Sequence, residues 1–328
     1  MTKLQDPDNI QTSIINNQKN WSLMNWLLVF ICILVLGNWS FCFAEAKQYD
    51  GIWFLGFNTH KDLFGDVNGK IVRQAVTIAI DRDKIAKRII GDEVVPIGII
   101  PPGMEGYDSS LPAYSHDYKE AKKLMKSAGY SLYDKRLKTI TLLHTDGVKT
   151  KEIVDEIKRD LINLGFDIQT TQVPYSNTAQ WNKELSSGKY HLFVMGYKAG
   201  NLGQIFIGDK LTQLFHTFTC FRNSTNEADI AYFNRYEEAV KAGFSPCPVC
   251  KPQPEAEPKT LSLIQPLIYS EGTANFTFFR NKRMDILLEE LSTMDESLKA
   301  SRQDKFEEIS RTIWEECPVV PLFYITKL

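Results

Sequence analysis

A chain of 328 residues is long enough for one large domain or two smaller ones. Lys and Arg number 38 against 40 for Asp and Glu, a formal net charge of -2, which gives no basis for nucleic acid recognition through bulk positive charge. A hydrophobic content of 43% is ordinary for a globular protein and leaves the chemistry to be read from local pattern.

Residues 1–20 are polar, and the following run from Trp21 to Phe43 is apolar apart from Ser22, Asn25, Asn38 and Ser40. Its core from Trp26 to Gly37 has the length of a signal-peptide apolar region, and Ala44-Glu45-Ala46 has the small-x-small form of a cleavage site. With its flanks the run also reaches the roughly 20 apolar residues that cross a bilayer. Residues 1–46 are therefore expected to be an export signal or a membrane anchor, and the rest of the chain periplasmic or otherwise extracytoplasmic. Trp39-Ser40-Phe41 makes a poor lipobox before Cys42, so lipidation there is not expected.

Ile52 to Asn58 is aromatic and β-branched and reads as a buried strand. His60 reads as a surface residue, because no second metal-type residue lies near it. From Val72 the apolar positions Val72, Ala75, Val76 and Ala79, then Ile85, Ala86, Ile89 and Ile90, have helical period. Asp81 between them is an N-cap signal, so one helix should end near Ile80 and a second run from Arg82 to Ile90, closed by Gly91. Arg73 and Gln74 fall on the polar flank of the first helix and read as stabilising contacts. Pro101-Pro102-Gly103 forbids further helix. A helix is expected over Tyr114 to Gly129, a strand over Thr139 to His144, a helix over Thr150 to Leu164 ended by Gly165, and a strand from Phe166 to Val173, which together make a βαβ unit. A short helix from Thr178 to Leu185 and a strand from Tyr190 to Tyr197 follow, with structural roles expected for His144 and His191. Near the carboxy end Leu261 to Tyr269 is apolar, Ala274 to Phe279 reads as a short aromatic strand, Met284 to Leu291 and Ser297 to Glu316 as helices, and Val319 to Ile325 as a strand.

The motifs VRQAVTIAIDRDKI, PPGMEGYD and YSHDYKEAKKLMKSAGY, in this order, resemble the middle of the family 5 extracellular solute-binding proteins, the oligopeptide, dipeptide and nickel receptors of ABC importers. NFTFFRNKRMDILLEEL and EECPVVPLFY resemble the carboxy end of the same family. The resemblance implies an α/β fold: a periplasmic-binding-protein-like lobe with a mixed or parallel sheet, interrupted by a small metal-binding α+β insertion. Residues 47–205 and 261–328 would form the lobe, and 206–260 the insertion with its linker.

The insertion is marked by LFHTFTC and AGFSPCPVCKP, where the receptor pattern is lost. His216 and Cys220 are spaced H-x3-C, and Cys247 and Cys250 C-x2-C, two close pairs of the kind that supplies a tetrahedral zinc site. The alternative for Cys220, Cys247 and Cys250 in an oxidising compartment is one disulfide and one thiol. A helix from Tyr236 to Ala242, ended by Gly243, would turn the chain into the C-x2-C knuckle, and KPQPEAEPK from Lys251 reads as a solvated linker. The stretch resembles the small metal-binding domain of the Ada DNA-repair protein, in which the first cysteine of a C-x3-C pair accepts a methyl group. His216 stands at that position and imidazole cannot act as that thiolate acceptor, so the resemblance implies structural zinc without repair chemistry.

The expected function is a non-catalytic, exported solute-binding component of an ABC transporter for peptides or a related solute, partnered by an ABC permease in the membrane and by no nucleic acid. Two departures bear on this. The resemblance begins almost directly after the export signal, so a separate chain supplying the missing lobe is a further expected partner. At GYKAGN, Gly196 to Asn201, the aspartate with which peptide receptors pair the peptide's amino group is replaced by Lys198-Ala199-Gly200. The alternative is a zinc-stabilised extracytoplasmic interaction or scaffold module without transport function. An enzyme is not expected: there is no Gly-rich phosphate loop, HExxH or nucleophile elbow, and the carboxylate pair Asp81 and Asp83 is accounted for by capping and exposure.

Overall fold

The computed structural model describes residues 47–92, 94–132, 134–200, 206–217, 229–233, 236–252 and 259–327. The apolar run from Trp21 to Phe43, expected to be an export signal or anchor, and Cys220 lie outside these residues. Among the described residues no helix is long and apolar enough to cross a membrane.

The larger sheet is built from β1 (Tyr49–Phe57), β2 (Ile140–Thr145), β3 (Ile168–Val173), β4 (Leu192–Lys198) and β9 (Val319–Thr326). Its order is β3-β2-β4-β1-β9. β2 runs parallel to β3 and β4, whereas β1 is antiparallel to both β4 and β9, so the sheet is mixed. Eight of the nine residues of β1 are buried, as a strand covered on both faces requires. Both faces are indeed covered. Leu55 and Phe57 join one core with α1 (Val67–Ala79), α2 (Tyr118–Ser127) and α3 (Val148–Asn163), while Ile52 and Phe54 join a second with α6 (Thr260–Ile268), α7 (Lys282–Thr293) and α8 (Lys299–Glu316). Each fully buried side chain such as Phe57 contributes on the order of 1.5–3 kcal/mol from burial.

The βαβ unit is β2, α3, β3, with β2 and β3 in register from Ile140↔Ile168 to Thr145↔Val173. Two helix starts on the first core follow side-chain capping. Asp81 accepts from Lys84 N at 2.9 Å, and the segment Lys84–Ile90 that follows winds as a π-helix, ended by Gly91 at φ 83°. Asp117 accepts from Lys119 N and Glu120 N, so α2 begins at Tyr118 rather than at Tyr114. The Tyr114 ring instead stacks on Trp314, and its hydroxyl donates to Trp314 O at 2.5 Å.

The segment from Ala274 to Phe279 is a chain of turns and corrects the strand expected there. Ala274 and Phe279 are buried and Phe276 and Phe278 half-buried, but the Asn275 amide donates to Tyr269 O and Phe279 O and so meets locally the hydrogen-bonding needs that a strand partner would serve. Arg73 makes the stabilising contacts expected of it, and does so while only 2% exposed. Its guanidinium donates to Glu316 O at 2.9 Å and to Phe64 O, and lies 3.5 Å from the Glu316 carboxylate. Lys70 pairs with the same carboxylate at 2.7 Å and Gln74 donates to Glu315 O at 2.8 Å. One face of α1 thus caps the carboxy end of α8, where the macrodipole favours cations, immediately before Cys317 turns the chain at φ 47° into β9. Arg73→Ala strands a buried helix terminus, and we expect a loss of about 3 kcal/mol in urea unfolding; a change below about 0.5 kcal/mol, the range of an ordinary surface substitution, would contradict the capping role.

Candidate functional site

The second sheet comprises β5 (Phe206–Asp209), β6 (Leu214–Thr217), β7 (Ile230–Phe233) and β8 (Ser245–Pro246), in the order β7-β5-β6-β8. Asp209 closes the β5–β6 turn by accepting from Leu211 N at 2.9 Å. One side of the sheet holds a small core of Phe206, Phe215, Ala239 and Phe244, against α5 (Tyr236–Lys241). Register pairs Ile207 with both His216 and Tyr232, which places His216 on the opposite side from Phe206 and Phe215. Among the described residues this core has four buried side chains, with Ala231, Phe233 and Tyr236 packed against them; a small fold of this kind is one that a metal or another staple can stabilise.

Gly243, at φ 88°, ends α5 and directs the chain into β8. β8 runs parallel to β6, and Cys247 N donates to Phe215 O at 2.9 Å, fixing the Cys247 backbone beside the residue that precedes His216. Val249 N approaches Cys247 Sγ at 3.4 Å and Lys251 N donates to Cys247 O, the tight turn that lets a C-x2-C pair converge. The ligand atoms of His216, Cys247 and Cys250 all lie within 4.8 Å of one another. Zn–S bonds of about 2.3 Å put tetrahedral ligands about 3.8 Å apart, so about 1 Å of closure would complete the geometry. The donor set of one imidazole and two thiols suits zinc, and neither Cys247 nor Cys250 is in a disulfide. Three of the four ligands expected from the sequence are therefore brought together, while Cys220 lies outside the described residues.

The excursion that carries this cluster leaves the larger sheet just beyond β4 and returns at α6. Gly200 N donates to Ser262 Oγ at 2.9 Å, which stitches its two ends together, and Ala199 N donates to Asp50 O of β1 at 2.6 Å, which ties the departing end to the sheet. At the same place Lys198 Nζ lies 3.4 Å from Asp50 Oδ1, with side-chain exposures of 28% and 0%. Burial pulls the Lys198 ammonium below its ordinary pKa, with Glu238 of α5 acting in the opposite direction. Asp50 is the residue that the sequence reading missed; its signal is a lone acid inside an apolar strand.

Residues 7–205, more than half of the chain, match the family described as bacterial extracellular solute-binding proteins, family 5, middle. The chain belongs to this family. The overlapping residues 197–253 match the metal binding domain of Ada. Among the relatives of this family 5 chain, the dipeptide-binding protein of Escherichia coli is 28% identical over 152 residues, covering 46% of the chain and 27% of the relative. The oligopeptide-binding protein AppA of Bacillus subtilis is 30% identical over 135 residues, covering 38% and 24%. Thus the chain spans about a quarter of the length of these relatives. Solved structures agree on the fold. HbpA2 from Haemophilus parasuis superposes with a TM-score of 0.60 at 15% identity, over 86% of the chain and 43% of that protein. The AppA structure from Bacillus subtilis, solved with a nonapeptide, superposes with a TM-score of 0.57 at 18% identity, over 85% and 46%. The family 5 fold is α/β, as the residue pattern implied.

Within this fold, Lys198→Met removes the cation facing a fully buried carboxylate. We expect a loss of about 2–3 kcal/mol in chemical denaturation, largely restored by the double substitution with Asp50→Asn. Additive losses in the double variant would show that the two groups do not act as a pair.

Proposed function

We propose that this family 5 chain is an exported solute-binding component of an ABC importer, taking peptides or a related small solute and handing it to a membrane permease. The match of residues 7–205 to the family carries this reading, and the relatives' names support peptides as the solute class. The role is one of binding rather than catalysis. In this reading 47–205 and 261–328 form one lobe into which 206–260 is inserted, with 1–46 as the export signal or anchor; the Gly200–Ser262 stitch supports the insertion points. β4 carries no carboxylate and Asp50 of the neighbouring β1 faces Lys198, so a peptide would be held chiefly through its backbone and side chains. Purified full-length protein screened by thermal unfolding against di- to nonapeptides should shift upward with at least one class, since a ligand at a hundredfold its Kd adds about 2.7 kcal/mol. No shift with any peptide would overturn the peptide reading.

Within the same proposal His216, Cys220, Cys247 and Cys250 hold structural zinc. Zinc bound there would supply on the order of 10 kcal/mol to the fold of this segment. Metal analysis of the purified chain should give about one zinc per chain, and Cys247→Ser, Cys250→Ser or His216→Ala should lose most of it while the larger sheet keeps its own unfolding transition. A Cys247–Cys250 disulfide in protein without zinc would refute the assignment.

A further inference from the structure

α2 carries Lys119, Lys122, Lys123 and Lys126, spaced i, i+3, i+4 and i+7, all exposed along one face. Its opposite face buries Ala121 and Met125 against the core that contains α1. Beyond the helix, Lys135, Arg136 and Lys138 are also exposed, and Arg136 folds back so that its guanidinium donates to Gly129 O and lies 4.2 Å over the Tyr130 ring. Residues 117–138 therefore hold seven basic side chains against three acidic ones in a chain whose net charge is -2. The three acids are committed locally: Asp117 caps α2, Glu120 pairs with Lys123, and Asp134 pairs with Arg136. Asp62 and Asp66 lie close enough to act on Tyr130, and Asp66 caps α1. No ion pair holds Lys119, Lys122, Lys126, Lys135 or Lys138 among the described residues.

Helix stability does not account for this stripe. Lys126 and Arg136 suit the carboxy end of the helix dipole, but Lys119 occupies the first turn, where a cation is disfavoured, and like charges at i, i+3 and i+4 repel. A stripe that costs the helix stability and, among the described residues, finds only the Glu120–Lys123 pair to offset it answers to an anionic surface outside it. Among the lysines sits Leu132, 51% exposed, beside the half-buried Tyr130, an apolar and aromatic pair of the kind that settles at a membrane interface. The apolar run from Trp21 to Phe43, read as an export signal or anchor, puts the chain at a bilayer face during or after export.

We propose that this stripe, centred on Lys119, Lys122 and Lys126 and extended by Lys135 and Lys138, docks the protein onto the anionic phospholipid headgroups of the membrane surface. The attraction is electrostatic and works over about 10 Å at tenth-molar salt, so it should weaken as salt rises. Such docking would hold a receptor flat against the bilayer that contains its permease.

The test uses the full-length chain with lipid nanodiscs of wholly zwitterionic phosphatidylcholine or of phosphatidylcholine mixed with phosphatidylglycerol. Exposed lysines are acetylated under limiting conditions and each site is quantified by mass spectrometry. We expect the stripe lysines to be protected about fivefold by the anionic discs and not by the zwitterionic ones, with Lys282 and Lys299 as exposed internal standards. Protection should vanish in half-molar salt, a control that needs no variant, and in the triple variant Lys119→Glu, Lys122→Glu, Lys126→Glu. Equal labelling in the two lipids, or protection that survives half-molar salt, would overturn the proposal, as would protection of the stripe only when an acidic protein or nucleic acid is added.

Discussion

The structure depends on one strand having both of its edges filled from far away in the chain. β1 lies between β4 and β9, pairing Gly51 with Lys198 on one side and Tyr49 with Thr326 on the other. A strand so apolar, buried on both faces, cannot leave its main-chain groups without partners, since each one unmet in a dry interior costs about 1–3 kcal/mol. The partners lie about 140 and 270 residues later, so the sheet closes only when most of the chain is in place. The same closure brings Gln48 and Lys327 together, Lys327 N donating to Gln48 O at 2.7 Å.

That closure explains why the chain tolerates a long excursion between β4 and α6. The lobe is held by β1, β9 and the capping of α8 by Arg73, none of which depends on residues 201–259. Once Gly200 and Ser262 are fixed beside each other, the cost of a longer connection grows only with the logarithm of its length. Within the excursion the described residues hold a separate small core of Phe206, Phe215, Ala239 and Phe244, and beside it His216, Cys247 and Cys250 converge. Parallel pairing of β8 with β6 brings the C-x2-C knuckle alongside His216 through main-chain hydrogen bonds.

Much of this could be read from residue order. The 3.6-residue spacing of Val72, Ala75, Val76 and Ala79 marks α1, Asp81 and Gly91 mark the ends of the next turn, and the change of period after Gly129 marks the βαβ unit, because local spacing is imposed by local geometry. Reading failed where a distant or unusual partner overrode the local rule. The aromatic run at Phe276 to Phe279 has strand-like residues but finds its partners in the Asn275 amide. Arg73 sits on a sequence-polar flank yet is buried, because the end of α8 arrives there with carbonyls to be satisfied. Asp50 became visible as a partner of Lys198 only once β1 and β4 were side by side.

By itself the sequence determined the fold class, most element positions, the close spacing of His216 with Cys220 and of Cys247 with Cys250, and the absence of an acid at Lys198-Ala199-Gly200, since these follow from spacing and residue chemistry along the chain. Only the tertiary structure decided that β1 is central and antiparallel to its neighbours, that the two ends of the excursion meet, and that His216 approaches the C-x2-C knuckle within reach of one metal ion. Those facts rest on contacts between residues tens to hundreds of positions apart. Spacing along the chain carries no information about which distant surfaces will meet; packing and main-chain hydrogen bonding settle it.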